Sequence, residues 1–298
     1  MYDPSDRRFM AADLIRGMIT NPQTLNLYVY VLDNPVLFID PSGLILRAVG
    51  DTEAIKKDLQ DLTGYSIKID SKTGIVALGA FLPLASGGYP DSYALVRRII
   101  DHPHTTTISS DAGYREDRAN PQDNNWRDAG IKPAVYNSFG KLIKPATPGM
   151  GTNAQVFYTP GQNVSIGVYT GMHNGLRVAS YDSSQTPSFI VLAHELIHAD
   201  RYMHGIAIEP FNPRNKMIKY YVRLNCENNS NNPFVIDLFK HIKQLVSYEE
   251  IQTIGFPFDE SEFKWIPEGF KGHDEKTYKV VTENMIRFEH GLKDRVAY

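Results

Sequence analysis

Cysteine is almost missing from this chain: its 298 residues include one, Cys226. A single thiol forms no internal disulfide, and a zinc site built from cysteines alone is excluded. Charge of one sign is also lacking. Thirty-one Lys and Arg face 34 Asp and Glu, a net −3, which argues against a broadly basic surface for nucleic acid. No stretch approaches the roughly 18–20 apolar residues of a membrane helix. The first residues lack the basic-then-apolar order of a signal peptide. With 42% hydrophobic residues and no compositional excess, the chain can bury a core without staples, and its function must lie in local motifs.

Residues 1–44 differ in texture from the rest. Asp3-Pro4, Asn21-Pro22, Asn34-Pro35 and Asp40-Pro41-Ser42-Gly43 punctuate short aromatic and β-branched runs such as Leu27-Tyr28-Val29-Tyr30-Val31. The pattern predicts short strands joined by tight turns, too few to form a core of their own. The string YDPSDRRFMAADLIRG…NPQTLNLYVYVLDNPVLFIDPSGL resembles the end of the Rhs/YD-repeat core of bacterial polymorphic toxins. The resemblance implies a parent β-shell and a variable payload beginning at residue 45. It also implies self-cleavage after Leu44 with Asp40 as a participating aspartate, although Asp40–Gly43 reads equally as a simple turn.

Within 45–298, Ala54–Leu62 has helical spacing, and Tyr65–Ile69 with Ile75–Leu78 alternate as a hairpin. Residues 100–153 are polar and turn-rich and predict irregular structure. Ala154–Tyr158, Val164–Tyr169 and Leu176–Tyr181 read as strands. Helical spacing resumes from Ser188 and again over Val235–Thr253 and Glu275–His290. The expected class is α+β, with a sheet bordering the helix that carries the chemistry. Ala154–Tyr158 and Leu176–Tyr181 are candidate strands of that sheet, and an edge strand there would bind peptide by strand addition.

Residues 190–205 read IVLAHELIHADRYMHG. On a helix, His194 and His198 project from one face and can share one ion, while Glu195 is placed to take a proton from water. An HExxH of this kind arises by chance in roughly one random chain in a hundred. A zinc hydrolase needs a third protein ligand. Glu249 and Glu250 in SYEEIQTIG are the candidates, and because adjacent helical residues point about 100° apart only one of them fits.

HELIHADRYMHGIAI followed by YEEIQTIG resembles the clostridial neurotoxin light chains, zinc endopeptidases of the gluzincin type. That resemblance implies Glu250 as the third zinc ligand and Glu249 as its neighbour, with NCENNSNNP (225–233) as a polar insertion. TENMIRFEHGLKDRVAY matches a further segment of the same family. It implies Glu283 orienting a zinc histidine, with Arg295 and Tyr298 stabilising the oxyanion. The same windows resemble the M91-type effector peptidases, which fits the Rhs-like start. The implied protein is a zincin-like metallopeptidase toxin over 45–298, preceded by a 1–44 core remnant. It would be secreted or delivered into a target cell as part of a larger toxin, cleave target-cell proteins, and be paired with a cognate immunity protein.

Several other residues weigh less. Asp200 reads as a residue near the site or as a solvated helix position, His204 as structural, and Asp101-His102-Pro103-His104 as surface. Cys226 has no neighbouring base motif that would make it a nucleophile. Two readings compete with a peptidase: a zinc hydrolase of a non-peptide bond, and an inactive module of an Rhs scaffold.

Overall fold

A computed structural model describes residues 2–3, 8–9, 46–82, 88–110, 117–132, 135–139, 141–144, 147–208, 215–224, 238–256 and 280–297. Asp40, Leu44, Cys226, the polar insertion and Tyr298 lie outside the described residues. The chain begins with a two-residue pair, β1 (Tyr2–Asp3) and β2 (Arg8–Phe9). Then come β3 (Leu46–Val49) and α1 (Thr52–Thr63), which starts where the Asp51 carboxylate accepts from Ala54 N and stops at Gly64, in the left-handed region at φ 72°. A hairpin of β4 (Tyr65–Ile69) and β5 (Val76–Phe81) follows, then α2 (Pro90–Ile100). Next are β6 (Thr106–Ser109), β7 (Arg118–Pro121), the single turn α3 (Trp126–Ala129), β8 (Val135–Tyr136), β9 (Leu142–Lys144) and β10 (Ala154–Phe157). β11 (Gly167–His173), β12 (Leu176–Tyr181) and α4 (Ser188–Met203) complete the central part. β13 (Asn215–Leu224), β14 (Leu238–Ser247), α5 (Tyr248–Ile254) and α6 (Glu283–Glu289) close the order.

Two four-stranded sheets frame the molecule, ordered β3-β6-β10-β7 and β11-β12-β13-β14. In the first, β3, β6 and β10 run parallel and β7 is antiparallel at the edge, packed against α4. One apolar core joins Leu46, Ile55 and Leu59 to Ile190, Leu192 and Leu196 of α4. Residues from 46 onward therefore share the core of the helix that carries HELIH. Asp58 of α1 is buried and fixes the start of α4: Ser188 Oγ donates to it at 2.8 Å and Tyr158 OH at 3.1 Å. Burial raises the Asp58 carboxyl above its usual range, and these two hydrogen bonds moderate the rise.

Five expectations from sequence are corrected. Val235–Thr253 is not one helix: β14 occupies Leu238–Ser247, and among the described residues of the stretch the helix starts at Tyr248. Leu238, Ile242 and Leu245 fit a helical repeat, but ten residue pairs between β13 and β14 satisfy the backbone as a ladder instead. Val164 precedes the strand, which runs Gly167–His173. Helix α6 begins only at Glu283, capped by the Thr282 hydroxyl, so 280–282 are not helical. The stretch 100–153 holds β6 and β7 rather than being wholly irregular. Neither β10 nor β12 is an edge strand; each lies between two neighbours.

Candidate metal centre

Helix α4 is apolar on nearly every side, and His194, Glu195 and His198 are buried within it. The two imidazoles, one turn apart, bring their Nε2 atoms to 3.2 Å from each other. Helix α5 starts where Ser247 Oγ accepts from Glu250 N, which places Glu249 and Glu250 in its first turn. Glu250 Oε2 lies 3.1 Å from His194 Nε2, and its Oε1 lies 3.0 Å from His198 Nε2. Two imidazole nitrogens and one carboxylate thus converge on a single point, the one such group of metal-capable donors among the described residues.

The fit of a metal ion can be tested on these atoms. Both histidines use Nδ1 elsewhere: His194 Nδ1–H donates to Glu283 Oε2 at 2.8 Å, and His198 Nδ1 lies 3.3 Å from Glu249 Oε1. A neutral imidazole that donates through Nδ1 has only a lone pair at Nε2. Two lone pairs facing each other beside a carboxylate repel unless a cation or protons lie between them. Glu250 Oε2 is buried and accepts no well-aligned hydrogen bond. The separations of 3.0–3.2 Å also approach the ~3.3 Å edge of a tetrahedron with bonds of 2.0–2.1 Å, the zinc–nitrogen and zinc–oxygen range. The residues fit a tetrahedral divalent ion with one position left open.

Electrostatics point the same way. Burial disfavours a charged His194, yet the Glu250 and Glu283 carboxylates outweigh it and hold its pKa up at about 9. Burial acts likewise on His198, where Glu250 and Glu249 raise the pKa well above the ordinary value. Glu250 is pulled well below its usual range by the two histidines against the cost of burial. This is a strongly negative cage that attracts positive charge. Glu195 differs, because burial raises its carboxyl and only the neighbouring histidines restrain it.

Around the donors lies a buried shell of ion pairs. Glu249 meets Arg201 Nε at 2.8 Å and accepts from Ile208 N at 2.7 Å. Glu283 accepts from Arg287 Nε at 2.6 Å on one oxygen and from Arg295 Nη1 at 3.0 Å on the other. Despite burial, these two arginines hold Glu283 ionised, well below the usual carboxylate range. Arg295 arrives on a segment that pairs with the start of β11: Tyr169 N donates to Asp294 O at 2.8 Å, and Val296 N to Gly167 O at 2.9 Å. Gly167 leaves room for that segment, since a Cβ there would sit 2.4 Å from Ala297 Cβ.

The structure therefore brings together His194, His198, Glu249, Glu250, Glu283 and Arg295, with Glu195 beside them on α4. Sequence reasoning missed Arg201 and Arg287. Their signal was spacing alone, Arg201 three residues after His198 and Arg287 four after Glu283, each on its neighbour's helix face. Asp200 is not a solvated residue. It is 1% exposed and receives Arg98 Nε at 2.8 Å and Nη2 at 2.6 Å. His102, expected at the surface, is largely enclosed against His204, their ring centroids 4.4 Å apart. Its pKa falls to about 3, chiefly through burial.

No curated protein gives a significant match to the chain. The family model Peptidase_M91, described as effector protein, matches residues 89–298, well over half of it. β3 to β5 and α1 precede the matched region yet share its core. With that match and the converging donor set in hand, the chain belongs to the M91 family of effector peptidases.

Proposed function

We propose that this chain is a zinc-dependent endopeptidase of gluzincin type, the payload of a toxin that acts on proteins of a target cell. The observation that carries the reading is the convergence of His194 Nε2, His198 Nε2 and a Glu250 carboxylate, each separated from the others by 3.0–3.2 Å. His194, His198 and Glu250 would hold Zn²⁺. Zinc in such a site supplies Lewis acidity, making water nucleophilic near neutral pH and polarising a carbonyl.

The chain's own residues supply the remainder. Glu195, buried and with a raised pKa, accepts the proton of the attacking water and delivers it to the departing amine nitrogen. Arg295 and Tyr298 stabilise the oxyanion, a role the family resemblance implies. Glu283 and Glu249 keep the two imidazoles in one tautomer and one orientation. β7, the edge strand against α4, is the element on which an extended substrate would add as a further strand.

The effector family supports delivery into a target cell, and the Rhs-like start supports a larger parent with residues 1–44 as its end and 45–298 as payload. An immunity protein and the parent shell are the partners this reading implies. The complete donor set weighs against an inactive scaffold module. Digestion of a peptide library tests the class. Cleavage by the zinc-loaded protein that is lost with a chelator and restored by zinc supports it, and cleavage indifferent to chelator refutes it.

A further inference from the structure

Arg287 is wholly buried, and so far its one task is to share with Arg295 in offsetting the charge of Glu283. A buried guanidinium is costly unless its charge is met and its N–H groups find acceptors. Both conditions hold. Nε donates to Glu283 Oε1 at 2.6 Å, and Nη2 to Thr186 Oγ1 at 2.9 Å. Nη1 donates to Gln185 O at 2.7 Å and to Lys293 O at 3.3 Å. These acceptors lie on three separate pieces of chain: helix α6, the turn immediately before α4, and the segment that carries Arg295.

Neutralisation alone does not account for this. Arg295 already offsets the Glu283 charge through Oε2, the oxygen that also receives His194 Nδ1–H. Arg287 grips the opposite oxygen, Oε1, and so fixes the rotation of the carboxylate. Its planar fork spans the three pieces at once, which the point charge of a lysine does not. We propose that Arg287 is a positioning residue for the metal centre. It sets α6 against the start of α4 and thereby aims Glu283 at His194. The inference rests on the metal reading of the site and goes beyond it by assigning a residue that touches no metal donor.

The test is a Co²⁺ titration, read by chelator competition and by the visible absorption spectrum, with the melting temperature measured alongside. Arg287→Lys keeps the charge but loses the fork and is expected to weaken Co²⁺ binding about 10-fold and to change the spectrum. Thr186→Val removes one bond with the charge intact and should shift both readouts the same way by a few-fold. Val76→Ala, in β5, serves as a control: it should lower the melting temperature and leave affinity and spectrum unchanged. If Arg287→Lys does not fold, Thr186→Val decides. Wild-type affinity and spectrum in the folded variants would overturn the assignment, as would an equal loss in Val76→Ala. A wild-type protein that binds neither Co²⁺ nor Zn²⁺ would instead refute the metal reading.

Discussion

Glu249 and Glu250, neighbours in one helical turn, contact opposite nitrogens of the same imidazole: Glu249 Oε1 lies 3.3 Å from His198 Nδ1 and Glu250 Oε1 lies 3.0 Å from its Nε2. One carboxylate faces the candidate metal position and the other backs the ring. The arrangement predicts unequal effects. Glu250→Ala should weaken zinc binding more than about 100-fold, and Glu249→Ala about 10–100-fold, the usual cost of losing an outer carboxylate. Isothermal titration against a competing chelator measures both, and the reverse ranking would exchange the two roles.

Asp200 lies on α4 beyond the donors and is locked to Arg98 of α2 by two hydrogen bonds. Removing one partner of such a pair strands the other. Asp200→Ala should cost about 2–4 kcal/mol, toward the low end because Arg98 is partly exposed. The double variant Arg98→Met, Asp200→Leu should recover much of that loss. Urea unfolding checks it, and a double variant as unstable as Asp200→Ala would mean that the pair is not the source.

Acid should remove the stability that two buried neutral imidazoles contribute. Burial lowers His102 to a pKa of about 3 and His290 to about 4, the latter opposed by its bond to Leu62 O. The folded values lie below the ordinary 6.5 of the unfolded chain, so the fold favours the neutral rings. Their contribution is complete above about pH 6.5 and falls away as pH drops toward 4, because the unfolded chain takes up protons that the native state refuses. Allowing for partial solvent screening, the loss by pH 5 is about 1 kcal/mol per ring. Unfolding curves at pH 7 and 5 should show it, and His102→Asn with His290→Gln should flatten the difference. Equal slopes in wild type and variant would contradict these assignments.

Gly167 accepts from both Val296 N and Ala297 N, and its missing side chain lets Ala297 approach. Gly167→Val should lift segment 293–297 from β11 and accelerate hydrogen exchange at the Val296 and Ala297 amides at least 10-fold, with the α1 amides unchanged. Unaltered exchange would mean that the segment is held by other contacts.

The HELIH helix was legible because its two periods agree: apolar residues all round it for burial, and histidines one turn apart for a shared ion. The β4–β5 hairpin was equally plain from alternation across Lys72-Thr73-Gly74. β14 was not, since Leu238, Ile242 and Leu245 satisfy a helical repeat, while the alternation of exposed Lys243 and Leu245 with buried Val246 emerges only once β13 is its partner. The ion pairs of Arg98, Arg201 and Arg287 were invisible for a related reason. A buried arginine is recognised by its acceptors, and those lie as far as 102 positions away in the chain.

The most direct test of the central claim compares zinc-loaded wild type with zinc-loaded Glu195→Gln in candidate target cells, reading new protein N-termini by mass spectrometry. One equivalent of zinc in both proteins, with new N-termini from wild type alone, is the predicted result. The same N-termini from Glu195→Gln, or none from a fully zinc-loaded wild type in any target proteome, would contradict it.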